Sequence, residues 1–300
     1  MMNDKIYEMN KEYLKIVSST AYKVAQMLIF IKSNILNFKN IRLILFEVLQ
    51  RIKTQKYSGK KCRYIEKKDI QITNKRIAIY TSIFGEYDKI LNPMYINDNV
   101  DYFIFTDLKV NDNMIWHKFD ISNLQSIIGK LSNQDKNRYF KMLGYQYLKN
   151  YDYIIYIDGN LEIYGNLTKL VKYINSLSGL AMYNHPSRDC IYNEAEVCKI
   201  LKKGNYHSID LEINRYKDEK MPRHYGMCEC NVIVKDMHNA ISDKILSTWW
   251  MNYINGTSKR DQISFPYTLW TMNIQIEKIG CLGENINIDP NFRRKLHTNS

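Results

Sequence analysis

Tyr153-Ile154-Ile155-Tyr156-Ile157-Asp158-Gly159-Asn160 is a short apolar run that stops on a carboxylate, a glycine and an amide. Its first five side chains are β-branched or aromatic, the pattern of a strand buried on both faces. A carboxylate at the end of such a strand is carried out of the core, and Gly159 permits a sharp turn. In open α/β sheets, ligands bind outside the carboxyl ends of the strands. Asp158 and Asn160 are therefore expected at the lip of a crevice. Asp-x-Asn there could hold a divalent cation through oxygen ligands. Asp158 could equally be an N-cap in a strand-to-helix turn. The stretch alone leaves both readings open.

Working outward, residues 135–150 read as a helix that leads straight into this strand. Phe140, Leu143, Tyr147 and Leu148 give it an apolar face. Arg138 lies on another face, where it could reach the same crevice and pair with a diphosphate or with Asp158. Upstream, residues 76–82 and 101–106 read as buried strands, the first followed by the loop Ile83-Phe84-Gly85-Glu86-Tyr87-Asp88 and the second by Asp107. Residues 115–119 suggest a further short strand. Downstream, helices are expected over 166–177, from about 190 to 203, and over 209–220, 236–253 and 261–272, with strands at 180–183 and 226–234. The alternation of strand and helix is that of an α/β domain with a mostly parallel sheet.

Several polar residues stand out along this frame. His185, Arg188 and Glu194 form a cluster opening a helix, suited to a sugar or phosphate and also to ordinary capping. Glu229 sits among apolar strand residues, where an acid is costly unless solvated or paired, so it is expected to face a site. Arg260-Asp261-Gln262 opens the last clear helix, a position favoured for Asp261 by capping and by the helix dipole. His297 lies in a basic tail that could fold back over the crevice or stay disordered.

Composition narrows the class. With 45% hydrophobic and 13% aromatic residues, the 300-residue chain can bury a full core. No apolar run of about 18 residues is present, so no spanning helix is expected, and the N-terminus lacks the apolar stretch of a secretory signal. The six cysteines show no Cys-x-x-Cys spacing, and reduced thiols are expected. Residues 1–75 hold 16 Lys and Arg against 6 Asp and Glu, a net +10; residues 76–300 hold 27 against 25, a net +2. The basic character thus belongs to the N-terminal quarter, which weakens a nucleic-acid reading. Residues 5–52, free of Gly and Pro, read as basic amphipathic helix suited to a membrane surface or to packing on a partner. Residues 53–75 read as a linker. The expected division is 1–75 as a helical extension and 76–300 as the catalytic-type domain.

The ordered motifs at 77–88, 102–107, 156–160, 188–195, 226–234 and 260–267, above all Arg260-Asp261-Gln262-Ile263-Ser264-Phe265, resemble the glycosyltransferase-like family of plant mucilage and pollen-tube proteins with bacterial members, formerly a domain of unknown function (616). The similarity covers roughly residues 76–272. It implies a GT-A-like (Rossmann-like) fold and a nucleotide-diphosphate sugar donor. Arg138 ahead of Asp158-Gly159-Asn160 is also similar to the glycogenin and galactosyltransferase-like family, in which a helix Arg precedes Asp-x-Asp. Here the third position is Asn160, one negative charge fewer.

The resemblance implies transfer of a sugar, UDP the expected nucleotide, to a glycan or lipid-linked glycan acceptor, with retention favoured over inversion; the charge distribution gives no reason to expect a nucleic-acid partner. Thr81, Phe84, Gly85, Tyr87, Asp107, Arg138, Asp158 and Arg260 would hold the donor. His185, Arg188 and Glu194 would meet the acceptor. Asp158, Asn160 and His297 would hold Mn²⁺ or Mg²⁺, and Glu229, Asp261 and Gln262 would act in catalysis. The expected setting is cytoplasmic, peripheral on the inner face of the membrane, in bacterial cell-surface polysaccharide synthesis. Two other classes stay open: a nucleotidyltransferase, although its Gly-rich phosphate loop is missing, and a non-catalytic glycan-binding relative.

Overall fold

The computed structural model describes residues 2–25, 60–63, 72 and 74–296. Its strands are β1 (Ile77–Ile83), β2 (Val100–Thr106), β3 (His117–Lys118), β4 (Tyr153–Ile157), β5 (Leu161–Ile163), β6 (Leu180–Asn184), β7 (Cys228–Asp236), β8 (Gly280–Cys281) and β9 (Phe292–Arg294). Seven of them form one sheet in the order β3-β2-β1-β4-β7-β6-β8, and β5 pairs with β9 in a small ribbon. β3, β2, β1 and β4 run parallel, β7 is antiparallel to both β4 and β6, and β8 is parallel to β6. The main helices are α1 (Met2–Ser18), α2 (Asn133–Leu143), α3 (Ile191–Ile200), α4 (Tyr206–Asp218), α5 (Ala240–Asn255) and α6 (Asp261–Thr271). This is the expected mostly parallel α/β sheet flanked by helices.

The opening stretch behaves as its composition demands. In β4, Ile154 and Tyr156 pack into the core that carries Phe140, Trp249 and Phe265, while Ile155 and Ile157 pack into a second core on the other face with Leu167, Val171 and Phe292. Successive side chains of a strand alternate between faces, so a strand covered on both sides needs apolar residues at every position. β1 shows the same rule, buried at all seven residues.

Topology then gathers the polar ends. The chain runs outward from β1 to β2 and β3 and returns to β4 on the other side of β1, a reversal of strand order that opens a crevice at the carboxyl ends. The carboxyl ends of β1, β4 and β6 and the amino end of the reversed β7 lie along one edge of the sheet, since Ile157 pairs with Val232 and Asn184 with Cys228. Gly85, Asp158, His185 and Glu229 therefore share that edge despite wide separation in sequence.

Some elements differ from expectation. The helix expected over 135–150 is α2 followed by a 3₁₀ turn at Gly144–Tyr147. A Cβ at Gly144 would lie 2.7 Å from the Tyr80 ring and 3.3 Å from Phe105, so the chain there runs flush against the sheet. The helix expected over 166–177 is a 3₁₀ segment, Leu167–Tyr173, capped by Asn166. Gly159 is required for space: a Cβ would meet Ile83 at 2.6 Å.

Of the helix expected over 5–52, α1 and, after a bend at residue 19, a helical stretch over 20–25 are described; the remainder and most of the 53–75 linker lie outside the described residues. α1 packs on the domain. Asn10, fully buried, donates to the Pro290 and Phe292 carbonyls at 2.9 and 3.0 Å and accepts from Arg293 Nε at 2.9 Å. The Arg293 guanidinium lies between the rings of Tyr13 and Tyr164. α1 carries three lysines and three acids, so the net basic charge of the N-terminal quarter comes from beyond it.

Candidate active site

Two clusters of charged side chains occupy the edge. The first joins α2, β4 and α6. Ser132 caps α2, its hydroxyl accepting from Asp135 N–H at 3.1 Å, and the helix then places Arg138 and Lys141 three residues apart on one face. Lys141 is buried; its Nζ lies 3.1 Å from Asp158 Oδ1 and 2.7 Å from Asp261 Oδ2. Arg138 Nε lies 3.0 Å from the same Asp261 oxygen. Tyr156, from inside the sheet, donates its hydroxyl to Asp158 Oδ1 at 2.8 Å. Burial alone would push the Asp261 carboxyl up, but Arg138 and then Lys141 outweigh it and hold the group well below the usual carboxylate range. Burial likewise pulls the Lys141 ammonium down, and Asp158 and Asp261 more than restore it.

The second cluster joins β6, α3 and β7. Arg188 Nε donates to Glu194 Oε2. His185 Nδ1 accepts the backbone N–H groups of Ser187 and Arg188 at 3.2 and 2.9 Å. Its Nε2 lies 3.1 Å from Arg188 Nη2, with Glu194 and Glu229 at 3.7 and 3.9 Å. A second ring proton would have donors around it and no acceptor in hydrogen-bond range. Burial, with Arg188 adding to it against the pull of Glu194, takes the imidazole down to about 4. Glu194 is held low, because Arg188, by its charge and its hydrogen bond, overcomes the burial. Glu229 is raised, with burial the main cause and Arg294 opposing it. Arg260, the N-cap residue of α6, acts electrostatically on both Asp261 and Glu194 and so stands between the clusters.

The structure thus brings together Arg138, Asp158 and Asp261, and separately His185, Arg188, Glu194 and Glu229. Gln262 borders the second group, donating to the Cys228 carbonyl at 3.4 Å. Gly85, with φ of +67°, donates to Asp107 Oδ1 at 3.1 Å, so these two form one turn beside β1 and β2. Tyr87 is half exposed on that loop. Thr81 and Phe84 are buried; Phe84 stacks on Phe140, and any ligand contact at either position would be through backbone. His297 lies outside the described residues.

Four residues of the edge were not singled out as site residues: Lys141, Tyr156, Asn231 and Arg294. Asn231 donates to Glu229 Oε2 at 3.3 Å, and its own carbonyl accepts from Asp158 N–H at 2.9 Å, so it ties the clusters together. Its place two residues after Glu229, on the same strand face, was the available signal. A cavity of about 550 Å³ lined by Tyr145, Gln146, Lys149, Met237 and Asp243 lies at the opposite edge, next to the carboxyl end of β7, and takes no part in this site.

The donor set at Asp158 fits a divalent cation poorly. Such ions take hard oxygen ligands, chiefly carboxylates. Asp158 Oδ1 and the neighbouring Asp261 Oδ2 both already face the Lys141 ammonium, while Asn160 turns its Nδ2 towards the Lys295 carbonyl at 3.4 Å. Among the described residues, no group of three or more His, Cys, Asp or Glu is placed to hold a metal.

Comparison with known proteins gives a family. The model described as TOD1/MUCI70, glycosyltransferase-like domain, matches residues 46–280. The chain is 25% identical over 238 residues to the probable hexosyltransferase MUCI70 of Arabidopsis thaliana, covering 67% of this chain and 40% of that protein. It therefore spans less than half the length of that relative. Among solved structures, it is similar to the apo form of the bifunctional glycosyltransferase WbbM (12% identity, TM-score 0.45, covering 71% of this chain and 40% of that one). It is also similar to mouse xyloside xylosyltransferase 1 (9% identity, TM-score 0.38, 69% and 84%).

Proposed function

The chain belongs to the TOD1/MUCI70 glycosyltransferase-like family, and on that premise we propose that it moves a sugar from a nucleotide-diphosphate donor, UDP-linked, to a glycan or lipid-linked glycan acceptor. The observation that carries the reading is the convergence of Asp158, Arg138, Glu229 and His185 on one edge of the sheet, at the reversal of strand order between β1 and β4. The turn at Gly85 and Asp107 lies beside the nucleoside, and Arg138 and Arg260 face the diphosphate, where fixed cations stabilise charge as it develops on the leaving group.

The two acidic candidates separate on their electrostatics. Asp261 is tied to two cations and held strongly acidic, which makes it a weak base; its work is to hold Arg138 and Lys141. Glu229 is raised towards working pH, the tuning a general base requires. In an inverting reaction Glu229 takes the acceptor hydroxyl proton as the new C–O bond forms and the nucleotide leaves with the bonding electrons. In the retaining reaction, which we favour, its carboxylate stabilises the oxocarbenium-like sugar. His185, Arg188 and Glu194 hold the acceptor.

The N-terminal quarter is read as a membrane-facing extension at the inner face of the cytoplasmic membrane, in cell-surface polysaccharide synthesis. Support comes from charge: residues 19–75 hold 13 Lys and Arg against 3 Asp and Glu. No described helix is long and apolar enough to cross a membrane. The enzymatic reading is tested by donor hydrolysis and transfer across a panel of nucleotide sugars. Turnover of one donor by the wild type, lost in Glu229→Gln, is the expected result. No turnover of any donor together with retained glycan binding would favour a non-catalytic relative, the reading that Asn160 keeps open.

A further inference from the structure

The geometry around Asp158 points to a built-in counter-cation. Lys141 Nζ lies within 3.1 Å of one carboxylate and 2.7 Å of another, and its side chain is 1% exposed. That is the point between Asp158 and Asp261 where a divalent ion would otherwise be best placed, since both carboxylates aim an oxygen at it. Charge bookkeeping agrees. Two carboxylates against the Lys141 ammonium and the Arg138 guanidinium sum to zero, whereas a divalent cation in the ammonium's place, with Arg138 still present, would leave the group at +1. Asn160 adds no charge, which would leave a metal under-held but leaves an ammonium fully paired. A buried lysine is costly unless compensated, and here Asp158, Asp261 and the Tyr156 ring, 5.5 Å away, compensate it.

We propose that Lys141 permanently fills the place of a divalent cation at Asp158, so that the site binds and turns over its donor without a metal. Lys141 acts here through Asp158 and Asp261 and is a positioning residue. Asp158 keeps 27% of its side-chain surface exposed, and with its charge satisfied internally it serves as a hydrogen-bond acceptor for a donor hydroxyl. The statement about turnover rests on the glycosyltransferase reading; the statement about cation exclusion does not.

The test is titration of the full chain with Mn²⁺, without nucleotide, by calorimetry and by loss of the free-ion paramagnetic resonance signal. The wild type is expected to show no site tighter than about millimolar, and Lys141→Met to gain a site at least about tenfold tighter as Asp158 and Asp261 lose the ammonium between them. The double variant Lys141→Met/Asp158→Asn should lose that site, and Lys141→Arg should behave as the wild type. Micromolar Mn²⁺ binding by the wild type that Asp158→Asn abolishes would overturn the proposal, as would a folded Lys141→Met with unchanged Mn²⁺ affinity. If Lys141→Met fails to fold by circular dichroism, the wild-type and Asp158→Asn titrations still decide. Turnover unchanged by chelator supports the proposal, and turnover abolished by chelator and restored by Mn²⁺ contradicts it. No turnover under any condition counts against the glycosyltransferase reading, while the titration still judges the role of Lys141.

Discussion

Between α2 and α6, Lys141 and Arg138 face Asp158 and Asp261; around β6 and β7, His185 and Arg188 face Glu194 and Glu229. Both clusters are largely buried and pair two nitrogen groups with two carboxylates. Their electrostatics diverge. In the first, two permanent cations hold Asp261 ionised, and Lys141 is held charged in return. In the second, one cation is spent on Glu194, His185 is held neutral, and Glu229 is left with a raised carboxyl. One cluster supplies fixed charge and the other holds the groups that can move a proton. The difference comes from donor count: a ring already surrounded by N–H groups cannot serve as the second cation.

The comparison breaks first at Glu229. Glu229→Gln keeps the shape and removes the carboxylate, as base or as stabiliser of the oxocarbenium-like sugar, and turnover should fall by roughly 10²–10⁴-fold with little change in thermal midpoint. A variant that keeps its rate would move the catalytic carboxylate elsewhere. In the fixed cluster the expected loss is in stability. Asp261→Asn leaves Lys141 and Arg138 buried with one carboxylate fewer and should cost about 3–5 kcal/mol in urea unfolding; a change near zero would show that water replaces the pair.

The pH dependence separates the clusters further. The folded pKa of His185, about 4, lies below its unfolded value, so the unfolded state binds the extra proton. Its stability contribution is complete above the ordinary histidine range and is lost as pH falls towards 4, by about 3 kcal/mol in all. His185→Gln should flatten that slope. Asp261, also depressed, contributes above the ordinary carboxylate range and is lost only on further acidification. Glu229 has the opposite sign, because its raised carboxyl favours the folded state at low pH. An unchanged slope in His185→Gln would contradict the neutral buried imidazole.

Smaller effects sharpen the frame around the clusters. Asn10→Ala removes the bonds of a buried amide to the Pro290 and Phe292 carbonyls and should cost about 1–3 kcal/mol, with faster amide exchange in β9. β9 carries Arg294, which acts on Glu229, so α1 supports the second cluster from outside. Ser132→Ala at the start of α2 should cost about 1 kcal/mol and leave both clusters in place.

Much of this was legible in the sequence, for reasons that particular residues show. An unbroken apolar run ending on Asp158 admits few placements other than a central strand with its carboxylate at the edge. Glu229 stood out because a lone acid in an apolar strand needs a reason. Lys141 did not stand out, since a helix lysine has the same local signature whether solvated or buried. Its fate depends on α2 packing beneath Asp261, whose position is fixed more than a hundred residues later. The 3₁₀ segment at Leu167–Tyr173 was also hidden, because its apolar spacing reads as ordinary helix.

The most direct test of the whole account is calorimetric titration of the full chain with UDP in chelator, beside Asp158→Ala and Arg138→Ala. The account predicts saturable binding by the wild type without added metal, weakened at least about tenfold in each variant. No UDP binding by the wild type, with chelator or with Mn²⁺, would contradict it.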